Sequence, residues 1–158
     1  MNNFKKLTTN NIVLFRLDEL QYALYLSTIK KVIHSIKITF LPNAPKKILG
    51  VINLHGEIIP VINIRFIFGL PTREINLEDQ FIIAKTSKRL IALAVDFVEN
   101  VTEIANYKII DTKKTLPFTN YLSGITVIKN NIVLINDLEK FLSLKEQQEL
   151  DKSLNVNM

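Results

Sequence analysis

The sequence predicts a mainly β protein made of two similar β subdomains, with a few short helices and one longer helix near the C-terminus. Short apolar runs rich in β-branched residues recur along the 158-residue chain, and turn-forming pairs such as Gly56-Glu57 and Asn130-Asn131 separate several of them. The two halves of the chain also repeat these runs in the same order. A single domain of this length buries about two-thirds of its unfolded surface, so it needs no covalent staple.

Ten segments have the length and composition of strands. They cover residues 12–17, 21–26, 36–41, 51–55, 58–62, 80–86, 90–96, 101–105, 124–129 and 132–136. Several lack a clean alternation of apolar and polar residues, which is typical of strands buried on both faces, although periodicity alone does not prove it. An all-β barrel or sandwich is the predicted architecture.

Three helical segments are predicted, each after a residue suited to capping. They are 28–33 after Ser27, 64–68 after Asn63, and 138 to about 150 after Asp137. Ser, Asn and Asp favour these places because their side chains accept hydrogen bonds from the free amides of the first turn. Residues 152–158 are expected to fray.

An internal repeat organises the chain, which is predicted to be one domain over residues 1–158. Gly50 is followed by a strand, a turn, a strand and a capped helix, and the same order follows Gly124. The matched pairs are Gly50 with Gly124, Ile58 with Ile132, and Asn63 with Asp137. The repeat predicts subdomain 1 over about 12–70 and subdomain 2 over about 79–144, with 70–79 joining them.

Composition argues against several kinds of chemistry. The chain has no Cys and only two His, so disulfides and cysteine-ligated metals are excluded and no metal site is predicted. No grouping of nucleophile, base and oxyanion donor is visible, and no Gly-rich phosphate loop occurs. We therefore expect no enzymatic activity, no catalytic residue and no cofactor. No apolar run is long enough to span a bilayer, which favours a cytoplasmic protein.

The net charge of +5 and the isoelectric point near 9.4 raise nucleic-acid binding as an alternative. A basic β-barrel of the oligonucleotide-binding type would need aromatic side chains on its surface for stacking. The aromatic residues in question are Phe15, Tyr22, Phe66 and Phe81. They fall mostly within apolar segments, and the positive charges are scattered in doublets, so no nucleic-acid partner is expected.

Residues 48–69 resemble the signature of the CheW family. They read Ile-Leu-Gly-Val-Ile-Asn-Leu-His-Gly-Glu-Ile-Ile-Pro-Val-Ile-Asn-Ile-Arg-Phe-Ile-Phe-Gly. The family's usual form is a Gly, then Asn-Leu-Arg-Gly, a strand with Pro, Asp-Leu-Arg and Phe-Gly. Residues 92–98, 121–124 and 135–138 are similar to a later strand and to the closing motif of the family. The resemblance covers about 12–144, nearly the whole chain.

The resemblance implies two five-stranded, barrel-like subdomains around a hydrophobic core, and no catalysis. Members of this family are adaptors that couple chemoreceptors (methyl-accepting chemotaxis proteins) to a CheA-type histidine kinase. A surface of subdomain 1 is implied to pair with the regulatory domain of the kinase. A groove between subdomains is implied to hold the cytoplasmic tip of the receptor. The chain would then lie in the cytoplasm at membrane-associated receptor arrays, in a flagellar or a surface-motility pathway, and meet the membrane only through receptors.

Ten residues are candidates for partner binding. They are Ile29, Lys31, Val32, Ile33, Gly50, Asn53, His55, Gly56, Arg65 and Val98. The apolar members are candidates for lining the groove, because an apolar receptor tip needs an apolar patch. Gly56 is predicted at a hairpin turn, Gly50 at a tight bend or close backbone approach, and Asn53 in a hydrogen bond to nearby backbone. Arg65 either pairs with an acid or lies on an exposed helix face, and the exposed face is favoured. Pro60 predicts a strand edge or bulge.

Two positions depart from the family pattern. His55 replaces the Arg of Asn-Leu-Arg-Gly, and Lys31 stands where the family commonly has a Glu. An acid–base pair would thereby become two basic residues. One hypothesis is a divergent chemosensory pathway whose receptor or kinase carries complementary acids. The alternative is drift at a tolerant surface.

Overall fold

The computed structural model describes residues 8–111 and 120–157, and within them the chain forms ten strands. The strands are β1 (Thr9–Leu17), β2 (Leu20–Tyr25), β3 (Ile29–His34), β4 (Ile48–Leu54), β5 (Glu57–Ile62), β6 (Gln80–Lys85), β7 (Leu90–Val95), β8 (Phe97–Ala105), β9 (Leu122–Ile128) and β10 (Asn131–Asn136). The helices in this part are α1 (Ile64–Ile67) and α2 (Leu144–Asn157), and short 3-10 turns cover Leu26–Thr28, Asn106–Lys108 and Leu138–Lys140. The predicted mainly β class is confirmed.

The strands form two five-stranded sheets, and each sheet draws on both halves of the chain. Sheet 1 has the order β8-β1-β2-β10-β9, and sheet 2 has the order β3-β6-β7-β5-β4. Sheet 1 contains the hairpin β1–β2 from the first half of the chain and three strands from the second half, while sheet 2 contains three strands from the first half and the hairpin β6–β7 from the second. Strands of the two halves pair in parallel at β2–β10 and at β5–β7. The ranges 12–70 and 79–144, predicted as subdomains, are sequence repeats that exchange strands, so neither range corresponds to one sheet.

The core has three parts, one inside each sheet and one between the sheets. Strand β7 shows why: Ile91, Leu93 and Val95 face the cluster between the sheets. Ala92 and Ala94, which alternate with them, face the inner cluster of sheet 2. Strands buried on both faces read as continuous apolar runs. This explains the missing alternation in the sequence.

The segment predicted as a helical turn over 28–33 is instead strand β3, and the helical turn is limited to Leu26–Thr28. The apolar residues Ile29, Val32 and Ile33 have the i, i+3, i+4 spacing of a helix. The pairing of β3 with β6 shifts register between Ile29 and Lys31, and this irregularity produces that spacing within a strand.

The segment 36–41, predicted as a strand, is a loop joined to β4 by one isolated bridge. Thr39 and Val51 exchange two hydrogen bonds of 2.8 Å. Because both backbone groups of Val51 point to Thr39, the opposite pair of Val51 with Pro60 on β5 is not hydrogen-bonded. Pro60 has no N–H to donate, but no hydrogen bond is required of it here, so it is tolerated away from the edge of the sheet. Its strand lies inside the sheet, so the edge alternative of the prediction is wrong, and pairing with β7 begins one residue later at Val61. The bulge alternative fits better, because the register of β4 against β5 shifts opposite Val61 and Ile62, directly after Pro60.

The C-terminal helix is α2, which begins later and ends later than the predicted 138–150. Asp137 does act as a cap, but of the 3-10 turn Leu138–Lys140, where it accepts from the Glu139 amide. The Ser143 hydroxyl accepts from the Glu146 amide (3.1 Å), while the Glu146 carboxylate accepts from the Ser143 amide (2.9 Å). This capping box fixes the start of α2. Burial of Leu150 anchors the helix, so it continues to Asn157 where fraying was predicted.

Candidate partner-binding surface

Apolar residues of β3, at the edge of sheet 2, and of β8, at the edge of sheet 1, form a candidate surface. The two sheets are linked nearby, because the Val98 amide of β8 donates to the side chain of Gln80, the neighbour of His34 on β3. Ile29 and Val98 pack against the cluster between the sheets. Val32 lies opposite Ile82 of β6, and residues directly opposite in a sheet share a face, so Val32 also faces that cluster. Its side chain is nevertheless 37% exposed. We call the surface formed by Ile29, Val32 and Val98 the seam.

Ile33, the fourth residue predicted for the groove, is not part of the seam. It lies opposite Phe81 and packs against the inner cluster of sheet 2. Lys31 lies opposite Ile83 of the same inner cluster, yet it is exposed. Lys31 therefore belongs to the other face of β3 from Val32.

The turn between β4 and β5 presents three of the predicted residues to solvent. His55 (φ 53°) and Gly56 (φ 87°) form a two-residue hairpin turn with positive φ at both positions. The Asn53 side chain accepts a hydrogen bond of 2.9 Å from the Gly56 amide and closes the turn, as predicted for its contact with backbone. Asn53, His55 and Gly56 are exposed, so this turn is open to a partner.

Gly50, in contrast, is a buried residue with a structural role. A Cβ built on Gly50 would lie 2.3 Å from the Thr39 carbonyl oxygen, so only glycine allows the loop to approach β4. The predicted close backbone approach is therefore present. Because Gly50 is buried, it offers no surface to a partner.

Arg65 is also buried, contrary to the favoured prediction of an exposed helix face. Its guanidinium donates to Asp18 (2.9 Å), to Asp96 (2.6 Å) and to the carbonyl of Pro71 (3.2 Å). Burial alone would lower the pKa of Arg65, but the hydrogen bonds to Asp18 and Asp96 outweigh it and raise that pKa. Its partners come from distant parts of the chain, which local sequence patterns do not show.

Asp96 is the centre of this polar network, and the sequence did not indicate that role. Its carboxylate accepts from Arg65 (2.6 Å), from Arg73 (2.7 Å) and from the Asp18 amide (2.7 Å). Arg73 also binds Asp79 through two hydrogen bonds of 2.7 and 2.8 Å. Burial by itself would raise the pKa of Asp96, but these donors outweigh it and lower that pKa. The signal available in sequence was weak: an acid directly after an apolar strand.

A second hairpin exposes apolar side chains that sequence reasoning did not select. Val127 of β9 and Ile132 of β10 are cross-strand neighbours, 55% and 64% exposed. Their turn, Lys129-Asn130, has positive φ at both residues, like the turn at His55. The internal repeat, which matches Ile58 with Ile132, could have pointed to this hairpin.

Within residues 8–111 and 120–157, no three His, Cys, Asp or Glu side chains are grouped so that they could hold a metal ion. The three aspartates of the polar network are instead bound by arginines. No helix in this part of the chain is long and apolar enough to cross a membrane.

Fold and surface together define a class of protein: a two-sheet β scaffold with an apolar seam and exposed hairpin turns, which are features of protein docking. The model of the CheW-like domain matches residues 11–146, and the chain belongs to that family of chemotaxis scaffold proteins.

Relatives and a solved structure agree with this assignment. The Chemotaxis protein CheW of Rhizobium meliloti (strain 1021) is 22% identical over 153 residues, which cover 94% of this chain and 99% of that protein. The Chemotaxis protein CheW of Thermotoga maritima is 28% identical over 131 residues, covering 83% and 86%. The crystal structure of the scaffolding protein TtCheW from Thermoanaerobacter tengcongensis has a TM-score of 0.80 and 28% identity, covering 88% of this chain and 96% of that chain.

Proposed function

We propose that the chain is a non-enzymatic adaptor that couples chemoreceptors to a CheA-type histidine kinase, in the cytoplasm at receptor arrays. Membership of the CheW-like family and similarity to a scaffolding protein support this role. The adaptor would work by bivalent docking. When one chain holds both partners, each has a high effective concentration for the other.

The observation that carries the proposal is the seam. Its side chains come from two sheets, and Val32 is 37% exposed although it faces the core between them. Leu26, which leads into β3, and Phe97, the first residue of β8, are 39% and 48% exposed. Such an apolar surface between two rigid sheets suits the apolar face of a helical receptor tip.

The exposed turn at Asn53, His55 and Gly56 is the surface proposed for the kinase regulatory domain. It belongs to a hairpin of sheet 2, and the hydrogen bond from the Gly56 amide to the Asn53 side chain restrains its conformation. A rigid turn loses little conformational freedom on binding, which favours docking. The seam lies on β3 and β8 and this turn lies between β4 and β5, so the proposal assigns different residues to each partner.

Val32→Asp tests the seam directly. The variant should bind the cytoplasmic receptor fragment at least about tenfold more weakly, because a carboxylate in an apolar contact must lose its hydration. Binding to the kinase regulatory domain should not change. The control is Val127→Asp, an exposed strand valine outside the seam. Surface plasmon resonance with each partner measures both affinities, and an undiminished receptor affinity for Val32→Asp would exclude the seam as the receptor site.

Lys31 and His55 are both exposed, and the proposal assigns them to partner specificity. A partner with complementary acids would favour these bases, while like charges would reject other partners. The double variant Lys31→Glu, His55→Arg restores the usual family charges. Its affinity for the chain's own kinase should fall if the partner is matched to the native residues. Unchanged affinity would assign the two residues to drift.

Nucleic-acid binding has less support from the structure. Phe15, Tyr22 and Phe81 are buried, and among the four aromatics considered only Phe66 is exposed, at 44%. Stacking on single strands needs several exposed rings along one groove. A filter-binding titration with single-stranded DNA at two salt concentrations tests this alternative, because phosphate contacts would make the affinity fall steeply with salt.

A further inference from the structure

The connection from sheet 2 to sheet 1 passes through Asp96, the one residue between β7 and β8. The network around it contains groups from both sheets. Arg65 follows β5 of sheet 2, and Asp18 lies in the β1–β2 turn of sheet 1. The Asp96 amide also donates to the Arg16 carbonyl of β1 over 3.0 Å. Asp96 is thus held by side chains on the sheet 2 side of the crossing and by backbone groups on the sheet 1 side.

The residues that follow Asp96 are held as well, and they form one wall of the seam. The Val98 amide donates to the side chain of Gln80, on β6 of sheet 2, over 2.6 Å. The Glu99 carboxylate contacts Arg16 at 2.9 Å and Gln21 at 3.1 Å, both on sheet 1. Polar contacts therefore hold three of the four residues 96–99, namely Asp96, Val98 and Glu99.

The apolar cluster between the sheets holds them together, and the polar network adds a constraint of another kind. Hydrophobic burial has no preferred direction of its own. Charged hydrogen bonds do have a direction and a length. A partly buried guanidinium that loses its carboxylate is left desolvated without a counter-charge, which disfavours any displacement of Arg65 from Asp96.

We propose that Asp96 is a positioning residue: through Arg65 and Arg73 it fixes the distance between sheet 2, measured at its edge strand β3, and β8 of sheet 1, and this distance sets the affinity of the seam for an apolar helical partner. The partner in this inference rests on the proposed function. The distance belongs to the free chain, so it can be measured without any partner.

The first experiment measures that distance in the free protein. Because the chain has no Cys, Lys30→Cys on β3 and Glu103→Cys on β8 introduce two unique spin-label sites, both at exposed residues. Double electron–electron resonance is recorded with and without Asp96→Asn. The expected result is a shifted or broadened distance distribution. The matched control is Asp151→Asn, which also removes a carboxylate from an arginine, Arg89, but on helix α2. The control should leave the distribution unchanged.

The second experiment measures affinity for the receptor fragment at a temperature where circular dichroism shows every variant to be folded. Asp96→Asn should weaken binding by about tenfold, while Asp151→Asn should not. Asp18→Asn is a second variant for the case that Asp96→Asn folds poorly. Asp18 is exposed and Arg65 keeps Asp96 as its partner, so the change removes one arm of the network without leaving a buried charge unpaired. This variant should change the spin-label distance and the affinity for the receptor fragment in the same direction as Asp96→Asn does, but by a smaller amount.

Unchanged distances in both variants would overturn the proposal, and so would changed distances with unchanged affinity. A loss of stability with unchanged distances and unchanged affinity would show that the network stabilises the fold without positioning β8 for a partner. If the unaltered chain fails to bind the receptor fragment, the proposed function fails instead. The spin-label distances then still decide whether Asp96 sets the geometry.

Discussion

Replacing Gly50 by alanine should destabilise the chain more than the same change at Gly124, although the two glycines are equivalent in the internal repeat. A Cβ on Gly50 would lie 2.3 Å from the Thr39 carbonyl oxygen, where contacts under 3.0 Å are essentially never seen. That oxygen is backbone, and two hydrogen bonds to Val51 hold it in place. At Gly124 the nearest atom, at 2.5 Å, is a methyl carbon of the Ile109 side chain, which can move.

The magnitudes follow from these neighbours. In Gly50→Ala, displacement of Thr39 gives up two hydrogen bonds of about 1 kcal/mol each. The φ of 155° adds strain of about 1 kcal/mol, since side chains rarely adopt it. The expected loss is about 3 kcal/mol. In Gly124→Ala, an unfavourable rotamer of Ile109 costs about 1 kcal/mol.

Urea unfolding followed by circular dichroism measures both losses, with the m-value as a check that the folded and unfolded states are otherwise unchanged. Gly56→Ala is a useful third variant. The φ of Gly56 is 87°, but apart from its chain neighbours no atom would lie within 4 Å of an added Cβ, so the variant reports backbone strain without a close approach. A loss of about 1 kcal/mol is expected there. Equal losses for Gly50→Ala and Gly124→Ala would refute the reasoning.

Three further predictions concern pH, α2 and the first hairpin turn. Hydrogen bonds outweigh burial and lower the pKa of Asp96 and Glu146 in the folded chain, so the unfolding free energy should decrease as pH falls below about 5, and Asp96→Asn should reduce this slope in urea titrations at several pH values. Ser143→Ala should cost about 1 kcal/mol and speed amide exchange in the first turn of α2. His55→Asn should raise the unfolding free energy by about 0.5 kcal/mol, because Asn accepts positive φ more readily.

Each of these has a result that would contradict it. A slope with pH that is the same in Asp96→Asn would show that other carboxylates dominate acid unfolding. Uniformly accelerated exchange in Ser143→Ala would indicate global destabilisation and not loss of a cap. A less stable His55→Asn would mean that the imidazole makes contacts that compensate for its backbone conformation.

The sequence could predict the strands because composition and turns are local properties. Nine of the ten predicted strands overlap an observed strand within the described residues, and 36–41 does not. The error at β3 has a physical cause: the shifted register between Ile29 and Lys31 imitates helical spacing. The start of α2 was missed because Asp137 gave a cap signal six residues before the capping box of Ser143 and Glu146.

The candidate surface was predictable only in part. Resemblance to the family selected Ile29, Val32 and Val98, which pack against or face the cluster between the sheets, and the exposed turn residues Asn53 and His55. The long-range contacts of Arg65 were not predictable. Its acidic partners lie 47 and 31 residues away in sequence, and only the pairing of the sheets brings them together.

The exchange of strands between the two repeats also constrains how the chain is made. During translation β1 and β2 emerge early, but β10, the neighbour of β2 in sheet 1, emerges last among the strands. Until then the nascent chain carries an unpaired strand edge, which is prone to pair with other chains. The first repeat also has to wait for β6 and β7 to complete sheet 2. The first repeat therefore cannot reach its native pairing until strands of the second repeat have been synthesised.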